Sequence, residues 1–362
     1  MRSAPRGSVP WAQGTTAYFQ GTMASARIGD LLAAIALLRT VDPAPEAVGK
    51  MALLFLAGIY ILDAFGQIPE GTALGERFST VVRSTGDRES MTVFWWNVVF
   101  GVRAAHAHDD PSDALRHVDA IQPIFDVIGG QLIALNMQMF RGLNLWYMGA
   151  FALAEPALKE AVAADESLGM VSSWRRFSLS WLLADRGALD EARVLATQLT
   201  DYGHAHHVPL DEGKGRWVLA EVLRRLGDLE GAEREVQLAL GMVVPLDHPG
   251  VLGTLAFLRL AQGRPEEALA AAAEATDRGS VIGGCGMFRG AFVRLAHAEA
   301  LHATGAHDAA RRAIAEARAH LFAIADRIAD PVFERSFLES VPENARILEL
   351  ARAWVGEPAP RR

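Results

Sequence analysis

The chain has 362 residues, a formal net charge of −8, 51% hydrophobic and 22% charged residues, and one cysteine. This composition excludes a disordered chain, and the lone Cys285 excludes an internal disulfide or a zinc site built on two thiolates. The acidic balance and the lack of any Lys/Arg run argue against nucleic acid as a partner.

Residues 1–14 carry Arg2 and Arg6 but no apolar core, so they are a lead-in, partly disordered, and not a secretory signal. Over 15–130 the pattern predicts divergent helical hairpins. Gly21 with Ala26 marks one turn, Gly66 is followed by Gly71, and Asp109 stands five residues before Ala114. The longest uncharged apolar stretch, Met51–Leu62, is too short to span a bilayer. It is read as a buried hairpin helix, with no membrane partner. The lone thiol is most simply cytoplasmic.

From Leu145 onward the pattern sharpens. Gly149, Gly187, Gly227, Gly263 and Gly305 each stand five residues before an alanine: Ala154, Ala192, Ala232, Ala268 and Ala310. The gaps between successive alanines, 38, 40, 36 and 42 residues, signal stacked helical hairpins. In Gly215–Leu240 the apolar stripe Val218, Leu219, Val222, Leu223 and Leu226 predicts a first helix, which Gly227 ends by taking a left-handed cap. Asp228 is placed to cap the second helix, and Ala232 is small where the two helices cross. The clearer repeats occupy 131–328, and their extra residues are assigned to loops such as Tyr202–Gly215 and Arg278–Gly290. Capping helices follow over 329–356, where Pro342 starts a helix with Ile347, Leu350, Ala351 and Trp354 on one face. A disordered tail occupies 357–362. About eight hairpins in all make a solenoid.

These units resemble tetratricopeptide repeats, at a spacing longer than the usual ~34 residues. The chain further resembles the C-terminal repeat region of large bacterial signalling proteins that carry a serine/threonine kinase and an ATPase domain. The matching stretches are VPWAQG (Val9–Gly14), RGALDEAR (Arg186–Arg193), PLDEGKGRWVLAEVLRRLGDLEGAERE (Pro209–Glu235), MFRGAFVRLAHAEAL (Met287–Leu301) and ADPVFERSFLESVPENARILELARAW (Ala329–Trp354). The resemblance implies an all-α, right-handed superhelical solenoid with a regulatory or scaffolding role. It also implies a linked or neighbouring kinase/ATPase as partner.

No phosphate-binding loop, kinase triplet, nucleophile elbow or zinc-protease motif occurs, so no catalytic activity and no cofactor are expected. His204, His206 and His207 lie beside Asp211 and Glu212 but lack the i, i+4 spacing that converges metal ligands. They are read as a solvated loop. The run Gly283–Gly290 misses the dinucleotide fingerprint because Arg289 stands where its last glycine belongs. In tetratricopeptide geometry the first helix of each hairpin lines the concave groove. The candidates there are Asn136, Trp146, Tyr147, Trp174, Phe177, Trp181, Lys214, Trp217, Glu221, Arg224, Arg225, Phe292, Glu299 and His302. Trp and Arg dominate many binding surfaces, although Trp146 and Trp181 equally suit packing between hairpins. Arg224 and Arg225 are expected to be exposed. The function expected is capture of a protein or peptide in the groove; the alternative is a small-molecule sensor of the kind appended to transcription activators.

Overall fold

The structure, a computed structural model, describes residues 4–24, 28–84, 97–98, 100–105, 109–128, 131–167, 171–282 and 289–356, and every regular element among them is helical. The chain divides into two compact units, Met1–Arg103 with Arg116–Ile133, and Ala104–Leu115 with Ala134–Arg362.

The first unit holds α1 (Val9–Ala24), α2 (Ile28–Leu38), α3 (Val48–Ala64) and α4 (Ile68–Ser84), while α5 (Pro111–Ile128) enters it from the second. Its core gathers Trp11, Ile35, Leu38, Met51, Phe55, Ile59, Leu62, Leu74 and Phe78. Phe55 and Phe78 stack at 4.9 Å and tie α3 to α4. The apolar Met51–Leu62 stretch is therefore core helix, and each fully buried large side chain contributes about 1.5–3 kcal/mol. No single described helix is long and apolar enough to cross a membrane; only the bent pair Pro45–Ala52 and Leu54–Ala64 meets the length and composition. The helix α1 starts inside the expected lead-in and runs through Gly21, so Gly21 marks no turn; Ala26 lies outside the described residues.

The second unit continues with α6 (Gln131–Tyr147), α7 (Phe151–Ser167), α8 (Ser173–Asp185), α9 (Leu189–Ala205), α10 (Pro209–Leu226) and α11 (Leu229–Leu240). Then come α12 (His248–Ala261), α13 (Pro265–Ile282), α14 (Gly290–Ala303), α15 (His307–Ala325), α16 (Pro331–Glu339) and α17 (Pro342–Val355). The five repeated glycines all take positive φ, between 71° and 87°. At each, the following N–H bonds a carbonyl five residues back, as in Asp228 to Leu223 and Ala306 to Leu301, which closes the helix in a Schellman turn. Asp109 also takes positive φ, 51°, a conformation Asp tolerates because its side chain is short, although there the following N–H, of Asp110, bonds a carbonyl six residues back, that of Ala104. The five alanines, and Ala114 after Asp109, have no solvent exposure. Asp228 Oδ1 accepts from Gly231 N–H at 2.8 Å and caps α11.

These hairpins stack as a tetratricopeptide-like solenoid. The extra residues of the longer unit lengthen helices and do not form the expected Tyr202–Gly215 loop: only three residues separate α9 from α10. The reason is close helix approach. A Cβ on Gly203 would lie 2.2 Å from Glu212 N, and one on Gly215 2.5 Å from Thr200 N. Within Arg278–Gly290, α13 continues to Ile282, and residues 283–288 lie outside the described residues.

The last helices seal the array. Ile347, Leu350 and Ala351 pack with Ile314, Leu321 and Phe337. They also meet its beginning: Ser336 Oγ donates to Met148 O at 2.8 Å. Farther along, Arg327 Nε lies 2.9 Å from Asp110 Oδ2. The second unit thus curls until its final hairpins touch its first. The tail 357–362 lies outside the described residues.

Candidate interaction site on the inner face of the second unit

Because the stacking turns the first helix of each hairpin inward, α6, α8, α10, α12 and α14 bring side chains together along the inner face. The aromatic candidates are buried there: Trp146, Phe177, Trp181 and Trp217 have no exposure, Tyr147 and Phe292 almost none. Trp181 meets Trp217 at 5.8 Å and Phe292 at 6.1 Å, both edge-on, and Phe177 lies 5.2 Å from Trp217. Trp217 Nε1 donates to Thr254 Oγ1 at 3.0 Å on the next hairpin. Such rings, each resting on its neighbour's, form the joint between hairpins. They do not form an open groove wall.

Arg224 and Arg225 are not exposed as expected; their side chains keep only 21% and 23% of their surface. The cause is Glu221, fully buried one turn earlier on α10. Arg224 donates to Glu221 Oε1 and Oε2 at 2.6 and 2.8 Å, and Arg225 to Oε1 at 2.7 Å. Burial by itself would raise the Glu221 carboxyl, but the two guanidiniums more than reverse this and hold it at about 2. Arg225 reaches on to Ala184 O at 2.9 Å and Asp185 Oδ1 at 3.2 Å.

Asp185 joins the candidate Trp146 to Arg289 and, through it, to Glu343, two residues that no sequence spacing flags. Its Oδ2 accepts from Trp146 Nε1 at 2.9 Å and from Arg289 Nη2 at 2.7 Å. The Arg289 guanidinium lies 4.9 Å from the Trp146 ring centroid, and its Nε is 2.6 Å from Glu343 Oε1. Burial pushes Glu343 up to about 7 against the pull of Arg289. Burial likewise drives the Tyr147 phenol well above its ordinary range. Arg289 and Asp185 are 104 residues apart. Only the curl of the solenoid joins them, which is why periodicity could not find them.

Toward the rim, Lys214 Nζ lies 4.9 Å over the half-buried Trp174 ring, and Arg224 sits 5.6 Å from the centre of Phe257. Glu299 pairs with Arg346 at 3.0 Å. The exposed His302 stacks on Trp354 at 4.3 Å. Asn136 belongs to α6, but its side chain lies outside the described residues. Apart from this face, His206 and His207 are exposed and His204 lies 3.4 Å from Glu212. Among the described residues no three His, Cys, Asp or Glu gather as metal ligands.

No protein-family model and no curated protein matches the chain. Among solved structures it is similar to a Rap protein complexed with Competence and Sporulation Factor, with a TM-score of 0.63 at 9% identity, over 95% of this chain and 99% of that one. The Rap conjugation gene regulator of the plasmid pLS20, in complex with the Phr* peptide, gives 0.55 at 13% identity over 96% and 99%. The APC/C hetero-tetramer Cut9–Hcn1 gives 0.54 at 12% identity over 90% of this chain and 59% of that one. At these identities the likeness establishes the helical-repeat fold.

Proposed function

We propose that this chain is a non-catalytic regulatory module that captures a protein or peptide on the inner face of its second unit, within a signal-transduction system that includes a kinase or ATPase. One observation carries the reading. Trp146, Asp185, Arg225 and Glu343 arrive from four helices, and Arg289 from the N-cap of a fifth, to form a single ionic and aromatic cluster. Desolvating such charges stabilises a fold less well than apolar packing would, so the cluster is better understood as a recognition element than as a structural one. A curled repeat also presents long concave surface. The two Rap structures of like fold hold a factor and a peptide respectively. The link to a kinase or ATPase is supported by the resemblance of Ala329–Trp354 to arrays attached to such domains.

The test is selection from a displayed library of random twelve-residue peptides, followed by hydrogen exchange on the complex. Selected peptides should protect amides of α8, α10 and α14. Failure to obtain any saturable binder, or protection confined to the outer helices α9, α11 and α13, would refute the reading. Co-purification with a kinase or ATPase encoded beside this chain tests the second half.

A further inference from the structure

The inner face holds a guest already, and the guest is part of the chain. Arg289 precedes the first residue of α14, at its N-cap, and its side chain runs into a socket made by other hairpins. Trp146 supplies an aromatic face, Asp185 one carboxylate and Glu343 a second. These are groups that recognise a guanidinium: one carboxylate that accepts a hydrogen bond from it, a second carboxyl within ion-pair distance and a π surface against it. The socket is braced independently of Arg289, because Trp146 Nε1 and Arg225 Nη2 both hold Asp185. Charge permits a cation here. Without Arg289 the carboxylates of Asp185 and Glu221 would stand against the guanidiniums of Arg224 and Arg225, and the Glu343 carboxyl, raised to about 7 by burial, would lose its cation. Asp109 and Asp247 add negative potential nearby, both acting on the adjacent Tyr147.

Three residues on, Phe292 continues the same intrusion, edge-on to Trp181 and 4.9 Å from Phe257. Gly290 between them leaves room for the chain to pass, since a Cβ there would lie 2.5 Å from Asp109 Oδ2. The segment Arg289-Gly290-Ala291-Phe292, the N-cap and first turn of α14, thus presents a cation and an aromatic ring one helical turn apart to the other inner helices.

We propose that Arg289 is an internal plug in a guanidinium-binding socket of Trp146, Asp185 and Glu343, and that an arginine side chain of the partner displaces it. This rests on the inner-face reading above and names the chemistry of the partner. Displacement would remove the Arg289–Glu343 link between α14 and α17, leaving the Glu299–Arg346 pair and the apolar contacts to hold them, and so would couple capture to loosening of α17.

The socket is tested without any partner. Arg289→Ala should melt lower than the parent chain, and millimolar methylguanidinium should raise its melting temperature saturably while leaving the parent unchanged. No rescue, with methylammonium as the control, overturns the socket. Exchangeability is tested on the unaltered chain with the synthetic peptide FRGAFV, copied from Phe288–Val293, against FAGAFV. The arginine peptide should bind at least about tenfold more tightly, as expected for a buried charge pair, and should accelerate hydrogen exchange in α17. Equal binding of the two peptides, or no binding of either, overturns displacement even if rescue succeeds, and this second measurement stands if the alanine variant fails to fold. Because the rescue uses no partner, its outcome is independent of the library selection that tests the inner-face function.

Discussion

The carboxylate of Asp63 stands where a side chain at position 71 would begin: a Cβ on Gly71 would lie 2.1 Å from Oδ1. Elsewhere this crossing position is alanine. Here Asp63 is buried and paired with Arg103, whose Nε donates to Oδ2 at 2.8 Å and whose Nη2 reaches Thr72 Oγ1 at 2.9 Å. Gly71→Ala should therefore destabilise the chain by about 3 kcal/mol, at the upper end of overpacking. In an Asp63→Ala/Arg103→Met background the same change should become stabilising by roughly 0.5–1 kcal/mol, the ordinary gain of alanine over glycine in a helix. Urea denaturation of the four proteins measures the cycle, and an unchanged cost in both backgrounds would contradict the packing described.

Two of the repeated glycines should differ in cost although their backbones match. Gly227 has φ 87° and nothing within 4 Å of a Cβ, so Gly227→Ala carries only the left-handed penalty, about 1–2 kcal/mol. At Gly149 a Cβ would lie 2.4 Å from Ser336 O, where the last hairpins meet the first. Gly149→Ala should lose at least about 1 kcal/mol more, and exchange in α16 should quicken. Equal losses would mean that this contact does not hold the unit closed.

At the hairpin crossings, Ala232→Leu and Ala268→Leu should each destabilise by about 1–3 kcal/mol, because both alanines are wholly buried. Leu226→Ala, on a 43% exposed residue, should change stability by less than about 1 kcal/mol. Thermal melts compare the three directly.

The buried carboxylates set opposite pH dependences. Glu343, raised to about 7 by burial despite Arg289, contributes stability that is fully present below its ordinary 4.5 and is lost as pH rises toward 7. Glu221 is held at about 2 because Arg224 and Arg225 outweigh its burial. It contributes stability present above 4.5 and lost as pH falls toward 2. Melting temperature should accordingly decline on both sides of the region near pH 4.5. Glu343→Gln should flatten the decline between 4.5 and 7 and leave the acid side unchanged. A decline of the same slope in that variant would assign it to other groups.

The Gly-to-Ala interval of five residues determined the solenoid by itself, because a left-handed cap and a small crossing residue are local demands that each hairpin meets within its own sequence. Asp109 was legible for the same reason: its conformation is set by the turn, and an aspartate can adopt it. The character of the inner face was decided only in three dimensions. Tetratricopeptide geometry projected from the repeat alanines placed Trp146, Trp181, Arg224 and Arg225 on it, yet whether they meet water depends on how far the superhelix curls, a sum of small rotations at every joint. That curl brings Glu343 and Arg289 to Asp185, whereas the pairs of Glu221 with Arg224 and Arg225 are made within α10, three and four residues along. Helical period fixes which way a side chain points; only the packing of distant hairpins fixes what it finds there.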